Sequence, residues 1–323
     1  MKPPLATGAT ADTCAIGIDV GGTKIAAGVI DRNGRAVSQA LRAPTPRAGG
    51  REALLTVLAD TVAELRGHSD RRPVGVGVGT GGVVDHSNGR VLTATDLLPG
   101  WAGTPIGSWL SERCGLPVSA DNDGNTHALG ELSFGAAKGY SDVLFAAVGT
   151  GVGGAVAVDG VVRRGVHHFA GEVGHVPVPG ADGRDCSCGG SGHLEAVASG
   201  PAIAARYRET SGAALALPAI ADRARGGDRL AEAAIAEGAS FLGRALAGLA
   251  TAIAPQVVVL GGGVAEMGPI YWGPLQAAFA AEPYTRSGAI PLVRAQLGSG
   301  SSIAGAAALA FERSAEPLME GRR

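Results

Sequence analysis

Runs of apolar residues separated by glycine-rich turns predict several buried strands along the chain. Each run is too short for a buried helix and is bounded by glycine or by polar turn residues. Asn33 and Gly34, which follow the second run, are typical of a hairpin turn. The strands predicted in this way are Cys14–Val20, Ile25–Ile30, Val74–Gly79, Val143–Val148, Ala155–Val158 and Gln256–Leu260.

Apolar residues at helical spacing predict amphipathic helices between these strands. Leu54, Leu55, Leu58, Val62 and Leu65 recur on one face of a helix. The helices predicted are Arg51–Arg66, Thr126–Leu132, Leu230–Ile253, which Pro255 ends, and a last helix at about 305–318. Strands and helices in alternation indicate an α/β fold.

Length and composition indicate a folded protein of two domains. The chain has 323 residues, 46% of them hydrophobic and 17% charged. Its 27 basic and 29 acidic residues nearly balance, and neither sign is massed in a block. A nucleic-acid surface would need a basic face or arm, so we expect no nucleic-acid partner.

Targeting signals and membrane spans are not expected. Residues 1–11 have one lysine and no apolar core, so they do not form a signal peptide, and we expect them to be disordered. No uninterrupted apolar stretch reaches the roughly 18 residues that a membrane helix needs. The four cysteines are too few for a disulfide scaffold, and Cys186 and Cys188 form a C-x-C pair that fits a metal better than a bridge. A cytoplasmic location is expected by default.

A near-repeat is the most informative feature of the sequence. DVGGTK, at Asp19–Lys24, and VGTGVGG, at Val148–Gly154, each place a glycine turn between two predicted antiparallel strands. Such turns present backbone N–H groups to an anion, so two of them could hold the phosphates of one nucleotide. Hairpins also use glycine for geometry alone, and a single turn would not decide between these interpretations. A third glycine run, Gly261–Gly263, favours the phosphate interpretation.

Six motifs together resemble the ROK family (repressors, open reading frames and kinases) of sugar kinases, within the actin-like ATPase superfamily. DVGGTK and GTGVGG are similar to the family's phosphate motifs, and VVVLGGGVAE is similar to its adenosine segment. DNDGNTHALGE (Asp121–Glu131) resembles its catalytic stretch. GEVGH and CSCGGSGHLEAVASG resemble its sugar and zinc signature. The resemblance covers the chain from about Ala15 to Phe311.

The resemblance implies two actin-like (ribonuclease H-like) α/β domains flanking a nucleotide and sugar cleft. The smaller domain is expected at 12–122, with the last helix packing back on it. The larger domain, with the zinc loop, is expected at 123–304. Family members pair, so a homodimer or homotetramer is expected.

The resemblance also implies the residues that bind and activate the sugar. Asp123 corresponds to the catalytic carboxylate, which takes the proton of the acceptor hydroxyl. Without the family context, the Asp-Asn-Asp-Gly sequence would favour a simple polar turn before a helix. The residues implied to bind the sugar are Gly82, Asn122, Glu172, His175 and Glu195.

ATP and Mg²⁺ are the implied cofactors of the phosphate motifs. Asp19 corresponds to an acidic residue near the magnesium ion, acting through water. Lys24 is assigned to the phosphates as well, although a lysine at a hairpin edge is also typical of a solvated charge. The residues implied to bind the nucleotide are Asp19, Gly21, Gly22, Thr23, Lys24, Gly149, Thr150, Gly151, Gly261, Gly262 and Gly263.

The resemblance implies a structural zinc ion at His175, Cys186, Cys188 and His193, which are spaced His-x10-Cys-x-Cys-x4-His and together form a sound tetrahedral set. The family has a third cysteine where this chain has His193. On the residues alone, free thiols in a loop stay an alternative, and His167 or His168 could compete as ligands. We expect zinc to fix the loop that carries His175 and Glu195.

The predicted function is ATP-dependent phosphorylation of a primary hydroxyl of a hexose or a sugar-like substrate. Departures from the family pattern at Asp121, Gly124, His168 and Leu97–Leu98 lie near the predicted sugar pocket. N-acetylmannosamine, N-acetylglucosamine and cyclitols therefore stay open as acceptors beside glucose. A non-catalytic, sugar-responsive regulator is the other class considered. Family repressors carry a helix-turn-helix ahead of the first motif, and here only 18 residues precede Asp19.

Overall fold

A computed structural model describes residues 13–46, 48–68, 70–94, 97–286 and 288–315. The expectation of disorder for residues 1–11 lies outside this range. The chain divides into two compact units. The first unit takes the residues up to Lys138, together with Arg164–Phe169 and the residues from Ser299 onward. The second unit takes Gly139–Arg163 and Ala170–Gly298.

Twelve strands occur among the described residues. The first unit contains β1 (Cys14–Val20), β2 (Lys24–Asp31), β3 (Leu41–Pro44), β4 (Pro73–Thr80), β5 (Val83–Asp85), β6 (Arg90–Thr93) and β7 (Val118–Asn122). The second unit contains β8 (Val143–Val148), β9 (Val152–Val158), β10 (Val161–Arg163), β11 (Val257–Gly261) and β12 (Leu292–Arg294).

Ten α-helices occur in the same part of the chain. The first unit contains α1 (Gly50–Gly67), α2 (Ile106–Cys114), α3 (Asp123–Phe134) and α10 (Ser301–Ala315). The second unit contains α4 (Glu195–Ala198), α5 (Gly200–Ser211), α6 (Leu217–Arg225), α7 (Arg229–Ile253), α8 (Pro269–Phe279) and α9 (Pro283–Arg286). None of the described helices has the length and apolar character to cross a membrane.

The two units contain sheets of the same design. The first sheet has the order β3-β2-β1-β4-β7, and the second has the order β10-β9-β8-β11-β12. In each sheet the first three strands in the chain form an antiparallel meander, and the next two add in parallel. The near-repeat of the sequence falls at equivalent places, because each glycine turn joins the first two strands of its sheet.

Strand β4 packs in different ways on the two faces of its sheet. Its sequence, PVGVGVGT, alternates valine with glycine, and side chains alternate between the faces of a sheet. Val76 and Val78 are fully buried in the apolar core that the first sheet forms with helices α1 and α2. Gly75, Gly77 and Gly79 point to the opposite face, towards α10 and α3.

Helix α10 packs directly on this glycine face, backbone against backbone. A Cβ atom added at Gly77 would overlap the carbonyl oxygen of Ala306, and one added at Gly17 would overlap that of Ile303. The same holds between the two helices, where Gly305 lies against the carbonyl oxygen of Thr126. Glycine is therefore required at these positions for the approach of α10.

The second unit is built around helix α7, which has 25 residues. Asp228 caps its N-terminus by accepting hydrogen bonds from the backbone N–H groups of Leu230 and Ala231. The buried face of α7 packs with α5, α6 and α8 against strands β8 and β11 in one apolar core. At its other end, Ala254 adopts a left-handed conformation and Pro255 follows, as the sequence predicts.

The α/β class and the main elements agree with the sequence analysis, and the differences have physical reasons. The first unit extends beyond residue 122 to Lys138, because α3 packs on α10. It also takes Arg164–Phe169 from the range expected for the second domain. Helix α10 begins at Ser301 rather than near residue 305, because Ser301 and Ser302 are buried and bonded in its first turn.

We expect the substitution Gly77→Ala to destabilise the first unit. The added methyl group would force α10 away from the sheet, and overpacking of this kind costs about 1–3 kcal/mol or more. The thermal midpoint, measured by calorimetry, should fall by about 5–10 °C.

The matched control is Gly67→Ala in the same unit. Gly67 is exposed at the end of α1, and an added Cβ would have no neighbour within 4 Å. This variant should keep the midpoint of the parent. Equal midpoints for both variants would show that the glycine face does not limit the packing of α10.

Candidate functional site

The first glycine turn joins β1 to β2 in the first unit. The N–H of Gly21 donates to the carbonyl oxygen of Lys24 at 3.0 Å, which closes the turn. Thr45 holds it from behind, since its hydroxyl donates to the carbonyl of Gly21 at 2.5 Å and its N–H donates to that of Thr23 at 3.1 Å. Thr23 and Lys24 are exposed. The carbonyl groups are thus bound from the protein side, and the predicted phosphate residues face outward.

Asp19 lies near the end of β1, on the face of the sheet that α10 covers. The hydroxyl of Ser302, in the first turn of α10, donates to Asp19 Oδ2 at 2.9 Å. Burial raises the pKa of Asp19, and the Asp123 carboxylate adds to that rise. His127, the Ser302 hydroxyl and Lys24 act in the opposite direction. Asp19 is therefore a carboxylate whose charge is poorly compensated in the protein alone.

Asn122, Asp123 and Gly82 are brought together where β7 meets α3. Asn122 caps the helix, since its side-chain oxygen accepts the N–H of Asn125 at 3.3 Å. Its amide nitrogen donates to the carbonyl oxygen of Gly82 at 2.9 Å. Asp123 is the first residue of α3 and is half-buried. Gly82 has φ of +99°, and a Cβ there would overlap the backbone of Thr93, so a side chain is excluded.

The second glycine turn joins β8 to β9 in the second unit. The N–H of Gly149 donates to the carbonyl oxygen of Gly151 at 2.8 Å. Glu195 supports the turn, because its Oε2 accepts the N–H of Val152 at 2.9 Å. A Cβ at Gly151 would lie 2.5 Å from the same oxygen. Gly151 therefore allows the Glu195 carboxylate to approach the turn.

The third glycine run begins at the end of β11, beside the second turn. Gly262 has φ of +89° and lies against the backbone of Val148, where a Cβ would overlap the carbonyl oxygen. The N–H of Val264 donates to that oxygen at 3.0 Å. This contact fixes the end of β11 against the end of β8. Gly263, the next residue after Gly262, is exposed.

A cavity of about 610 Å³ opens beside these two turns, wholly within the second unit. This volume is in the range of small-molecule sites. Of the predicted nucleotide residues, Gly149, Thr150 and Gly263 line it, whereas Gly151, Gly261 and Gly262 do not. Two further lining residues, Val264 and Glu266, belong to the segment VVVLGGGVAE that resembles the family's adenosine segment. The other lining residues were not assigned to the nucleotide from the sequence: Gly200, Pro201, Ala204, Ala216, Leu217, Pro218, Ala221, Asp222, Arg225 and Met267.

The wall of the cavity is apolar, with a polar edge at Asp222 and Arg225. The guanidinium of Arg225 donates to Asp222 Oδ1 at 2.7 Å and to the carbonyl oxygen of Met267 at 3.3 Å. The Gly200 N–H donates to the carbonyl oxygen of Gly149 at 2.9 Å, which joins the start of α5 to the second turn. A flat apolar group with a few polar atoms fits such a wall.

The four predicted metal ligands converge in the second unit. The Nδ1 atom of His175 lies 3.4 Å from the Cys186 sulfur, and Nδ1 of His193 lies 3.2 Å from the Cys188 sulfur. One ligand atom from each residue lies within 4.8 Å of the others. Tetrahedral zinc with ordinary bonds places its ligands about 3.6 Å apart, so the arrangement fits zinc. Both His167 and His168 lie in the first unit, outside this group.

Two acidic residues surround the metal-ligand group. The Nε2 atom of His175 lies 3.9 Å from a Glu172 oxygen. Glu195 Oε1 accepts a hydrogen bond from Ser187, between the two cysteines, and lies 3.8 Å from the Cys186 sulfur. Burial raises the pKa of the Cys186 thiol to about 11. Glu195 thus links the cysteine loop to the second glycine turn.

We expect Asp19→Asn to stabilise the protein at neutral pH. Because the pKa of Asp19 is raised in the folded state, its contribution to stability is full below its unfolded pKa and is lost as the pH rises through its folded pKa. Asparagine does not ionise and can still accept the Ser302 hydrogen bond. The thermal midpoint of the variant, relative to the parent, should therefore increase as the pH rises from about 4 to 7.

Asp60→Asn is the control, because Asp60 is exposed on α1. Its midpoint should follow that of the parent across the same pH range. If Asp19→Asn also followed the parent, burial of the Asp19 charge would carry no cost.

Comparison with known proteins identifies the family to which the chain belongs. The chain matches the model of the ROK family over residues 15–313. It is 34% identical to a glucokinase of Streptomyces coelicolor, over 94% of this chain and 99% of that one.

Two solved structures share the fold over nearly the whole chain. A ROK hexokinase from Thermus thermophilus has a TM-score of 0.83 at 37% identity, over 93% of this chain and 98% of that one. A ROK family glucokinase from Streptomyces griseus, in complex with glucose and AMPPNP, has a TM-score of 0.79 at 33% identity, over 93% and 99%. These likenesses confirm the predicted fold class. By the family model and the extent of these matches, the chain belongs to the ROK family.

Proposed function

We propose that this protein is a sugar kinase that transfers the terminal phosphoryl group of ATP to a primary hydroxyl of a glucose-like hexose. The observation that carries the proposal is the geometry of Asp123. It stands at the first residue of α3, next to an asparagine whose side chain is fixed by hydrogen bonds at both ends. The Asp123 carboxylate is itself held by the backbone N–H of Gly124, which donates to its Oδ1 at 2.9 Å. A carboxylate held at one oxygen can use the other to orient an acceptor hydroxyl and take its proton.

Asp123 acts as the general base in this proposal. The acceptor oxygen forms a bond to the terminal phosphorus of ATP, the bond from that phosphorus to the bridging oxygen breaks, and the hydroxyl proton passes to the Asp123 carboxylate. Asn122 and the Gly82 backbone hold the hydroxyl-bearing end of the sugar. Phosphoryl transfer needs little further covalent help, because alignment and charge stabilisation supply most of the rate.

The cavity of the second unit is the proposed site of adenosine. Its apolar wall suits the base, and its edge carries the Thr150 hydroxyl and the Gly149 backbone. The first glycine turn, with Thr23 and Lys24 exposed, is proposed to bind phosphate oxygens. Asp19 is the residue proposed to hold Mg²⁺, because it is a carboxylate with a poorly compensated charge. A bound Mg²⁺ ion would neutralise charge on the phosphate groups.

Glu172, His175 and Glu195 are proposed to bind sugar hydroxyls in the second unit. Glu195 Oε1 accepts from Ser187 and lies 3.8 Å from the Cys186 sulfur, whereas Oε2 accepts only from the N–H of Val152 among the described contacts and has a lone pair left for a hydroxyl. His175 directs Nδ1 towards Cys186, and its Nε2 is the atom proposed to meet the sugar. Carboxylates held in this way discriminate between hydroxyl configurations.

A structural zinc ion is proposed at His175, Cys186, Cys188 and His193. Two thiolates and two imidazoles form a sound tetrahedral set, and their atoms converge within 4.8 Å. A bound zinc ion would make one bond to each of these four residues and so hold the loop that carries the two cysteines. The same loop contacts Glu195 through Ser187, so its order affects a proposed sugar residue.

We expect Asp123→Asn to abolish most of the turnover while binding is kept. Asparagine keeps the size of the side chain but cannot take the proton, and general-base assistance is worth about 10²–10⁴ in rate. The value of kcat should therefore fall by at least about a hundredfold. The affinities for ATP and for the sugar, measured by calorimetry on the same sample, should change little.

The same experiment includes a control variant for turnover and a panel of acceptor sugars. Asp60→Asn, on the exposed face of α1, should keep the turnover of the parent. Acceptors to compare are glucose, mannose, fructose, N-acetylhexosamines and cyclitols. Full turnover by Asp123→Asn would show that another group accepts the proton. A parent that binds sugar and phosphorylates none of these acceptors would contradict the kinase assignment.

The zinc proposal has a test that does not depend on activity. Purified protein should contain about one zinc per chain, with Cys186 and Cys188 protected from thiol reagents until a chelator is added. His193→Ala should lower the zinc content and expose the thiols. His193→Cys, which supplies another zinc ligand at the same position, should keep both properties.

His167→Ala is the control for this set, because His167 lies in the other unit and stacks on Phe169. It should keep the zinc content of the parent. Zinc-free parent protein with reactive cysteines would refute the site.

A further inference from the structure

Arg164 makes a close ionic contact with the residue that precedes the proposed catalytic pair. Its Nε and Nη2 atoms both lie 2.7 Å from Asp121 Oδ2. Asp121 has 1% of its side chain exposed, and Arg164 has 18% exposed. Arg164 directly follows β10 of the second unit, yet it groups with the first unit. The contact therefore fixes a returning segment of the chain to the end of β7.

The other oxygen of Asp121 accepts hydrogen bonds from residues on both sides of Asp123 in the sequence. Asp121 Oδ1 accepts the backbone N–H of Asn122 at 2.8 Å and the side-chain amide of Asn125 at 2.9 Å. One of these donors precedes Asp123 and the other lies in the first turn of α3. A single carboxylate thus ties the end of the strand to the start of the helix, with Asp123 between the two tied positions.

This carboxylate depends on a nearby positive charge. A buried anion that loses its partner is strongly destabilised, and its side chain then shifts towards other donors or towards water. In either case its hydrogen bonds to Asn122 and Asn125 would change. His86 is a weaker partner, since its Nδ1 lies 3.7 Å from Asp121 Oδ2 and 3.1 Å from the carbonyl oxygen of Ala120.

The segment Arg164–Phe169 has a second polar contact within the same unit. His168 Nε2 lies 3.8 Å from Asp85 Oδ1. His168 has φ of +63°, a conformation that residues other than glycine rarely adopt. Contacts at both ends hold the segment, and Arg164 has little freedom to leave Asp121.

We propose that Arg164 is a positioning residue for proton transfer: through Asp121 it sets the position of Asn122 and Asp123 against the acceptor hydroxyl. The inference rests on the proposed role of Asp123. Displacement of a catalytic group by about 1 Å can cost a hundredfold in rate, so loss of the ion pair should appear in kcat. Arg164 and Asp121 neither line the cavity proposed for adenosine nor hold the first glycine turn proposed for the phosphates, so the affinity for ATP should change little.

Arg163 provides a matched control at the neighbouring position. Its Nη2 donates to the carbonyl oxygen of Val158 at 3.0 Å and lies 3.5 Å from an Asp159 oxygen. Its side chain is 48% exposed. Both partners belong to the β9–β10 hairpin of the second unit. Arg163→Gln therefore removes the same charge and length of side chain without touching Asp121.

The experiment compares Arg164→Gln, Arg164→Lys and Arg163→Gln by kcat, KM and the calorimetric affinity for ATP. Arg164→Gln should lower kcat by about 10- to 100-fold, with the ATP affinity unchanged. Arg164→Lys keeps the charge and should recover most of the loss. Arg163→Gln should match the parent.

A double-mutant comparison separates positioning from a general structural effect. If Arg164 acts through Asp123, then Arg164→Gln should add little to the loss already caused by Asp123→Asn. A structural defect would instead lower the remaining activity by the same factor in both backgrounds, and this result would overturn the inference. Equal losses in Arg163→Gln and Arg164→Gln would overturn it too.

Two further outcomes are distinguishable. Inactive Asp123→Asn with unchanged kcat in Arg164→Gln refutes the role of Arg164 alone. Full turnover in Asp123→Asn refutes both the proposed base and the inference.

If Arg164→Gln does not fold, the same comparison is made with Arg164→Lys in the two backgrounds. That variant should lose a measurable part of kcat only where Asp123 is present, since lysine lacks the two-donor guanidinium.

Discussion

The close approach of helix α10 to glycine backbone is the constraint on which the first unit depends. Valine and glycine alternate along β4, so one face of the strand is filled by side chains and the other is left bare. Helix α10 uses the bare face, and Gly305 lets it approach α3 as well. This packing places Ser302 on Asp19 and the first turn of α10 beside α3, where His127 Nδ1 lies 2.7 Å from the Ser301 hydroxyl. The acidic residues of the unit are thus held by contacts that require the absence of side chains.

The two units share one strand order but hold their glycine turns with different residues. In each sheet a glycine turn joins the first two strands, and the following strands add in parallel. The turn of the first unit is held by Thr45 and leaves Thr23 and Lys24 exposed. The turn of the second unit is held by Glu195 and lies beside a cavity. Shared topology therefore explains the near-repeat of the sequence, and different residues support the glycine turn in each unit.

Much of the fold follows from local patterns, whereas parts of the candidate site do not. Strands β1 and β8 begin and end where their apolar runs do, because buried strands need nothing more than such runs. The cavity residues on α6 were not recognisable: Leu217, Ala221 and Asp222 are ordinary helix residues that lie far in sequence from the glycine turns. The sequence gives no reason to distinguish Arg163 from Arg164. Only the positions of β10 and β7 in the fold show that Arg164, and not Arg163, contacts Asp121. These features depend on contacts between segments that are distant in the sequence, and the periodicity of apolar residues carries no information about such contacts.

The order of the chain has a consequence for synthesis on the ribosome. Helix α10 is translated after every residue of the second unit, although it belongs in the middle of the first. Until it emerges, Gly17 and Gly77 form a bare strip of sheet with no helix backbone against it. Domains generally fold in the order in which they leave the ribosome. Here the unit that is made first is completed last, and its sheet must stay in a form that can still receive α10 while the second unit folds.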